Sequence, residues 1–202
     1  MYKIIKRLID ILAGIVGGLL LIPVSMIVQV AFWCSGDWHR IFYRQRRVGK
    51  DGRIIKILKY RTMVRHADRM LNELLKDEQI RKEWEANQKI ENDPRITPVG
   101  RFLRIYSIDE LPQLLNVLVG DMSLVGPRPL MVGELEAHGG NPIYWRVKPG
   151  ITGWWACHGR SNVDYPTRLK MEYFYVRNCS LKLDLICIWK TFFGVLTHEG
   201  AV

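Results

Sequence analysis

LIDILAGIVGGLLLIPVSMIVQVAFW, residues Leu8 to Trp33, is a long apolar stretch near the N-terminus of the chain. Its residues 11–28 carry no charge over 18 positions, which is about 27 Å as a straight α-helix. That length just reaches across a bilayer core of about 30 Å. The run is too long for a secretory signal and no small-x-small cleavage site follows it. The stretch therefore predicts a helix inserted in a membrane.

The charges around this stretch leave two arrangements open. Basic residues lie on both sides, whereas a simple span carries its positive charge mainly on the cytoplasmic side. Pro23, near the middle, removes one backbone donor and clashes with the preceding turn, and Ser25 could hydrogen-bond a carbonyl freed in this way. One arrangement is a broken helix that enters the membrane, turns near Pro23 and returns. The other is a kinked span with a basic segment at each end.

The net charge of +10 in this chain of 202 residues is concentrated at one end. Residues 1–65 hold 13 basic against 3 acidic residues, whereas residues 66–202 hold 17 of each. A uniformly basic nucleic-acid binder does not have this distribution, so no nucleic-acid partner is expected. With 48% apolar and 25% charged residues, disorder is also excluded. The pattern favours contact between the N-terminal part and anionic membrane lipids.

The rest of the chain alternates short strands and helices. Asp51-Gly52 lies between apolar runs and predicts a β-hairpin turn, with Ile55 and Ile57 on a half-buried strand. Residues 66–90 are amphipathic and predict one surface helix, and residues 101–119 predict another helical region. Residues 180–197 predict a terminal helix that either packs into the core or lies at a membrane boundary. Aromatic side chains such as those of this segment are enriched at such boundaries.

A cluster of acidic residues lies at the start of a predicted helix, in the sequence RIYSIDELPQLLN of residues 104–116. Ser107 and Glu110 have the spacing of a capping box, which would explain them without any chemistry. Pro112 would then fall inside the helix, where its ring clashes. A helix that begins near Pro112 instead places Asp109 and Glu110 in the turn before it. Both readings, a cap and a catalytic pair, remain open on spacing alone.

The catalytic reading of this pair predicts phosphoryl chemistry. A carboxylate is a competent nucleophile at phosphorus, and Mg²⁺ bound by one or two carboxylates can neutralise a diphosphate. Nearby basic side chains would also neutralise the charge of the diphosphate. The candidates are Lys59, Arg61, Arg104 and Arg128. Pro127 and Pro129 stiffen the backbone around Arg128.

Several blocks of the sequence, spread over nearly the whole chain, resemble one family. They are Lys59–Met63, Asp93–Thr97, Ser107–Asn116, Gly120–Pro129, Lys148–Gly153 and Tyr175–Asn178. In this order they resemble the signature blocks of the bacterial sugar transferases, the monotopic phosphoglycosyl transferases of the undecaprenyl-phosphate hexose-1-phosphate transferase type. The pairing of the Asp-Glu-Leu block with the Gly-Pro-Arg-Pro block is specific.

The resemblance implies a reaction and its residues. Such enzymes transfer a sugar-1-phosphate from a UDP-sugar to a polyprenol phosphate, usually undecaprenyl phosphate, and release UMP at the start of capsule, exopolysaccharide, O-antigen or glycan assembly. By analogy Asp109 forms a covalent phosphosugar intermediate and binds Mg²⁺, and Glu110 assists. Lys148 and Arg160 join the substrate-binding candidates, Lys59, Arg61, Arg104, Pro127, Arg128 and Pro129.

The resemblance also implies a fold and a location. It predicts a mainly helical α+β protein with a re-entrant hairpin anchor over residues 1–36, broken at Pro23 and Ser25. Residues 37–202 would form a small catalytic domain with short strands and interfacial helices, at the cytoplasmic face of the bacterial inner membrane. The resemblance leaves room for an oligomer.

The chain departs from the family pattern at Ala156-Cys157-His158, where the usual Gln is missing, and at Glu172, where Asp is usual. The missing Gln puts the donor contact from its own position in question, and neither departure touches the acidic pair. Two other function classes compete with the transferase: a membrane-bound scaffold without activity, and a phosphotransferase or hydrolase acting on a different phosphoester.

Overall fold

The computed structural model of the chain describes residues 1–87, 90–159 and 163–196. Within these ranges it holds a mainly helical α+β fold with two small sheets, which confirms the predicted class. The helices are α1 (Tyr2–Cys34), α2 (Ala67–Leu74), α3 (Glu78–Asn87), α4 (Pro98–Ile105), α5 (Gln113–Val119), α6 (Glu134–Ala137), α7 (Tyr165–Asn178) and α8 (Leu181–Leu196). The strands are β1 (Phe42–Val48), β2 (Ile54–Tyr60), β3 (Ser123–Val125) and β4 (Gly150–Thr152).

Helix α1 packs against the rest of the molecule along one narrow face. Its buried residues recur at helical spacing along the whole helix: Asp10, Gly14, Gly17, Leu21, Val28 and Phe32. The opposite face is apolar and exposed, as Leu12, Leu19 and Ile27 show. An exposed apolar surface of this size is typical of a membrane-contacting surface. Among the described residues, α1 is the one helix long and apolar enough to cross a membrane.

Helix α1 continues through Pro23, so the turn expected at that residue is not shown. Packing on both sides of the proline supports the helix, because Leu21 and Val28 belong to one buried cluster with Tyr60. The partner that the structure gives to the Ser25 hydroxyl is the Tyr60 hydroxyl, at 2.7 Å, rather than a carbonyl freed by the proline. Helix α1 is thus packed against Tyr60 and its buried cluster on both sides of Pro23.

Both ends of α1 contact the same globular body. Near the first end, the Tyr2 hydroxyl donates to Asp184 at 3.0 Å, and Lys6 Nζ forms an ion pair with the same carboxylate at 2.8 Å. Near the other end, the Arg61 guanidinium lies over the Phe32 ring, 4.6 Å from its centroid. The globular body therefore extends along α1 from its first turn to its last.

The predicted hairpin is confirmed. Strands β1 and β2 are antiparallel, with Phe42 opposite Tyr60 and Val48 opposite Ile54. The turn between them contains Asp51 at φ 57° and Gly52 at φ 74°, two positions in the left-handed region that these residue types tolerate best.

Two predicted helical regions are each divided. The prediction of one surface helix over residues 66–90 is wrong, since α2 and α3 are separate and Asp77 Oδ1 accepts N–H groups at the start of α3. Residues 101–119 likewise form the end of α4 and all of α5. Ser107, at φ 54°, interrupts the helix between them. Local side-chain and backbone geometry outweighs the apolar spacing at both points.

Strands β3 and β4 form a short parallel pair, with Ser123 opposite Gly150 and Val125 opposite Thr152. Just past β3, the Gly126 backbone lies so close to Gly150 that a side chain on Gly150 would overlap it. This approach requires glycine. It brings the segment after β3 and the β4 segment together as one wall of a cleft.

Candidate active site

Asp109 and Glu110 lie in a tight turn between two helices. Thr97 caps α4 by accepting the Gly100 N–H at 2.9 Å, and a single turn of 3-10 helix covers Ile108–Glu110. The Ser107 side chain makes no capping hydrogen bond. The capping explanation of these residues is therefore wrong, and the alternative, a helix that begins just after Pro112, is confirmed by α5.

The Asp109 carboxylate is mostly buried, with 14% of its side chain exposed. Burial raises its pKa to about 6; the positive charges of Lys59 and Arg104 oppose this rise, and the neighbouring Glu110 adds to it. Lys59 Nζ lies 2.7 Å from Glu110 Oε1 and 3.9 Å from Asp109 Oδ2. One lysine thus faces both carboxylates.

A cleft opens beside this acidic pair and contains about 430 Å³ of empty space, its open mouth included. Lys59 and Glu110 lie in its wall, while Asp109 is not among its lining residues. The lining residues are Arg47, Ile57, Lys59, Glu110, Gln113, Gly126, Arg128, Pro129, Gly150, Ile151, Thr152, Gly153, Trp155, Ala156 and Glu172.

Arg128 reaches the cleft from a backbone that is fixed on both sides. Its N–H donates to Glu172 Oε1 at 3.0 Å, and its carbonyl accepts from the Tyr144 hydroxyl at 2.9 Å. The flanking Pro129 lines the cleft, and the Pro127 carbonyl accepts the N–H of Gly150 at 2.9 Å. The guanidinium lies 5.6 Å from the centroid of the Trp155 ring. These hydrogen bonds fix the backbone around Arg128, in agreement with the stiffness predicted from its flanking prolines.

Two further predicted residues lie outside the cleft lining. Arg61 donates to the carbonyls of Arg40 and Met63 and pairs with Asp37 at 2.9 Å, so its contacts tie the hairpin to the end of α1. Lys148 lies near Gly120, where burial and the charge of Arg7 lower its pKa. The structure does not bring either one to the acidic pair.

Two predicted substrate-binding residues remain, Arg104 and Arg160. Arg104 donates from Nε to Thr62 Oγ1 at 3.0 Å; burial lowers its pKa, and the negative charge of Asp109 opposes that change. It therefore lies within electrostatic reach of the acidic pair. Arg160 lies outside the described residues.

Two charged cleft residues were not among the predicted site residues. Arg47 is buried and donates from Nη1 to the Pro129 carbonyl at 3.3 Å. The strand alternation that buries Arg47 and exposes Arg46 was its only signal in the sequence. Glu172, noticed as a departure from the family pattern, is buried in the cleft wall.

The acidic pair fits a magnesium ion by its donor chemistry. Asp109 and Glu110 offer carboxylate oxygens, the ligands that Mg²⁺ prefers, and Mg²⁺ commonly binds through one or two carboxylates together with substrate phosphates. In the described part of the chain, no group of three or more His, Cys, Asp or Glu side chains could hold a metal by itself. The fit is therefore to an ion completed by phosphate oxygens.

Comparison with known proteins gives consistent matches over almost the whole chain. The profile of the bacterial sugar transferases matches residues 1–198. The chain is 43% identical over 201 residues to the undecaprenyl-phosphate galactose phosphotransferase of Salmonella typhimurium, which covers 98% of this chain and 42% of that protein. It is 41% identical over 198 residues to the exopolysaccharide production protein ExoY of Rhizobium meliloti, covering 97% and 87% respectively.

A third relative is the UDP-glucose:undecaprenyl-phosphate glucose-1-phosphate transferase of Escherichia coli, 35% identical over 208 residues. That match covers 98% of this chain and 42% of the relative. The chain thus spans less than half the length of the Salmonella and Escherichia proteins and most of the length of ExoY.

Proposed function

This chain belongs to the bacterial sugar transferase family, and on that premise we propose that it transfers a sugar-1-phosphate from a UDP-sugar to undecaprenyl phosphate and releases UMP. The names of the relatives supply the carrier lipid, the UDP-sugar and the exopolysaccharide pathway. The observation that carries the proposal is the placement of Asp109, Glu110 and Lys59 beside a cleft that Arg47 and Arg128 line.

Asp109 acts as the nucleophile in the proposed reaction. With a pKa of about 6 its carboxylate is largely ionised at neutral pH. One carboxylate oxygen attacks the β-phosphorus of the donor, and the bond from that phosphorus to the bridging oxygen breaks. UMP leaves with this oxygen and its electron pair, and the sugar phosphate remains on Asp109. A phosphate oxygen of the acceptor lipid then attacks the same phosphorus, which breaks the bond to Asp109 and restores the carboxylate.

The groups around Asp109 stabilise the charge of this reaction. Lys59 and Arg104 face the carboxylate, and Arg47 and Arg128 present guanidinium groups to the cleft, where they would bind diphosphate oxygens. Asp109, with Glu110 beside it, would also hold Mg²⁺, which when bound neutralises part of the diphosphate charge. Lys59 holds Glu110 in place through its 2.7 Å contact.

The proposal includes a re-entrant, monotopic placement at the cytoplasmic face of the membrane. Its support is that the ends of α1, at Lys6 and Phe32, contact one globular body while the other face of α1 is apolar and exposed. In α8, Trp189 and Phe192 are also exposed, as expected of a helix at an interface. Pro23 is the proposed point of re-entry.

The acidic pair lies close to this membrane helix. Gly14 and Gly17 of α1 contact Leu118 and Leu114 of α5, and α5 begins three residues after Glu110. A nucleophile beside an inserted helix is placed where a lipid phosphate and a water-soluble nucleotide can meet.

The test is a donor panel with UMP release as the readout. Purified protein in lipid nanodiscs is incubated with Mg²⁺, undecaprenyl phosphate and several UDP-sugars. We expect UMP from at least one donor, and a phosphosugar on Asp109 when the acceptor lipid is left out. Asp109→Asn should abolish both while the protein stays folded, and Asp68→Asn, an exposed aspartate of α2, should change neither.

The competing classes give different results in this assay. A membrane scaffold releases no UMP from any donor. A phosphotransferase with another substrate leaves Asp109 unmodified by UDP-sugars. Near-normal activity of Asp109→Asn would remove the proposed nucleophile.

A further inference from the structure

Glu172 of α7 has one carboxylate oxygen in use and one without a partner. The side chain is 1% exposed and lines the cleft. Its Oε1 accepts the Arg128 N–H at 3.0 Å, whereas its buried Oε2 has no hydrogen-bond partner in the described part of the protein. Buried polar atoms are nearly always paired, and an exception in a cleft wall points to a ligand.

Two hydrogen-bond donors in the same cleft are unpaired as well. Trp155 Nε1 and Arg47 Nε are buried and have no hydrogen-bond partner among the described residues. The cleft therefore presents an unpaired acceptor together with unpaired donors. The oxygens of a diphosphate only accept hydrogen bonds, so they suit Arg47 and Trp155 but cannot satisfy the Glu172 carboxylate. Glu172 requires a group that donates.

We propose that Glu172 Oε2 accepts a hydrogen bond from a hydroxyl or N–H group in the neutral part of the UDP-sugar, and that Glu172 thereby contributes to donor selection. The inference rests on the proposed function and adds a recognition residue to it. A site built to bind a substrate hydroxyl or N–H discriminates strongly against ligands that lack it, because its own polar group is then left unpaired.

The ionisation of Glu172 provides a second way to test its contact with the UDP-sugar. Burial raises its pKa to about 7, against the opposing effects of the Arg128 N–H, the Arg168 and Arg128 guanidinium groups and the Tyr144 hydroxyl. Tyr144 and Cys157 are the other titratable groups that face it. A donor hydrogen bond from the ligand favours the ionised form, so the KM for the UDP-sugar should fall between pH 6 and pH 8.

The test uses Glu172→Gln, which keeps an oxygen for the Arg128 N–H and replaces the unpaired acceptor by an amide donor. We expect the KM for the UDP-sugar to rise about tenfold or more, with kcat changed much less, since hydrogen bonds to charged groups are the strong ones. The fall of KM with pH should also disappear. Glu136→Gln, an exposed glutamate of α6, is the matched control and should change neither.

Inhibition by UMP separates the two sources of the donating group. A rise in the UMP inhibition constant in parallel with KM assigns the group to the base or ribose. A rise in KM alone assigns it to the transferred sugar. Unchanged KM and unchanged UMP inhibition in Glu172→Gln, or a loss confined to kcat, would overturn the inference.

A second variant covers the case in which Glu172→Gln does not fold. Glu172→Asp retains a carboxylate with a shorter reach, and we expect an intermediate KM from it. A KM equal to that of the unaltered chain would count against the inference. If the unaltered chain itself released no UMP, the proposed function would fail first, which is a distinguishable result.

Discussion

Lys59 Nζ lies 2.7 Å from Glu110 Oε1 and leaves Asp109, whose Oδ2 is 3.9 Å away, outside hydrogen-bonding distance. The lysine therefore restrains Glu110 while its charge still acts on Asp109. In the proposed reaction this leaves the nucleophilic oxygen available and keeps it ionised near neutral pH.

Removal of the Lys59 charge should change the pH dependence of the reaction. In the proposed reaction the nucleophile is the ionised Asp109, so we expect activity to rise with pH through about 6 in the unaltered chain. In Lys59→Met the pKa of Asp109 loses the opposing charge and rises further. The acid limb of the pH–rate profile should move to higher pH, and kcat should fall by about a hundredfold.

The control for Lys59→Met is Lys56→Met, on the same strand. Lys56 is exposed and its side chain is not part of the cleft lining. Replacement of Lys56 should leave the pH–rate profile unchanged. An acid limb at the same pH in Lys59→Met would show that Lys59 does not govern the ionisation of Asp109.

Arg128 should act on donor binding. Its guanidinium is exposed to the cleft and its backbone is clamped by Glu172 and Tyr144, so Arg128→Ala removes the charge without removing those backbone contacts. We expect the KM for the UDP-sugar to rise by about tenfold or more, as for loss of a charge-assisted contact. Steady-state UMP release measures it, with the exposed Arg69→Ala of α2 as the control. An equal KM in both variants would contradict the assignment.

The packing of α1 on α5 should depend on Gly14. A Cβ on Gly14 would lie 2.8 Å from Leu118 Cβ and 2.9 Å from its Cα, and backbone cannot easily move away. We expect Gly14→Ala to lower the free energy of unfolding by about 1–3 kcal/mol through overpacking. Denaturation in detergent micelles measures this.

Gly18→Ala is the matched control for Gly14→Ala. A Cβ there meets only Leu115 Cδ2, at 3.6 Å, which is ordinary contact. Because alanine favours helix over glycine, this variant should be neutral or stabilised by up to about 1 kcal/mol. Equal effects of the two substitutions would show that α1 is not pressed against α5 as described.

The two ends of α1 should be reachable from the same side of the membrane. Cys34 is exposed at one end, and Lys3 is exposed at the other. In a chain whose other cysteines are replaced by alanine, Cys34 and a cysteine substituted for Lys3 should both react with a membrane-impermeant maleimide only in inside-out vesicles. Labelling of the Lys3→Cys variant from outside the cell would establish a span.

Much of the fold could be predicted because it depends on local patterns. The apolar run of α1, the Asp51-Gly52 turn and the break before Pro112 are each set by a few neighbouring residues. The placement of Asp109 and Glu110 in a turn before a helix was one of two readings, and Pro112 was the residue that distinguished them.

The rest of the site depends on contacts distant in sequence. Arg47 and Glu172 reach one cleft from β1 and α7, which no spacing in the sequence connects. Arg61 lies in a conspicuous basic block, yet its partners are Asp37 and two backbone carbonyls near the end of α1. Whether a basic residue binds substrate or fixes the fold is decided by such partners, which are visible only in three dimensions.

The buried stripe of α1 makes this helix a structural component of the globular body as well as its proposed attachment to lipid. A truncated protein that starts after Cys34 would leave Leu114 and Leu118 uncovered and Asp184 without Lys6. Deletion of the helix is thus a poor route to a water-soluble protein. A soluble variant would instead keep the stripe and replace the outward apolar side chains of α1 by polar ones.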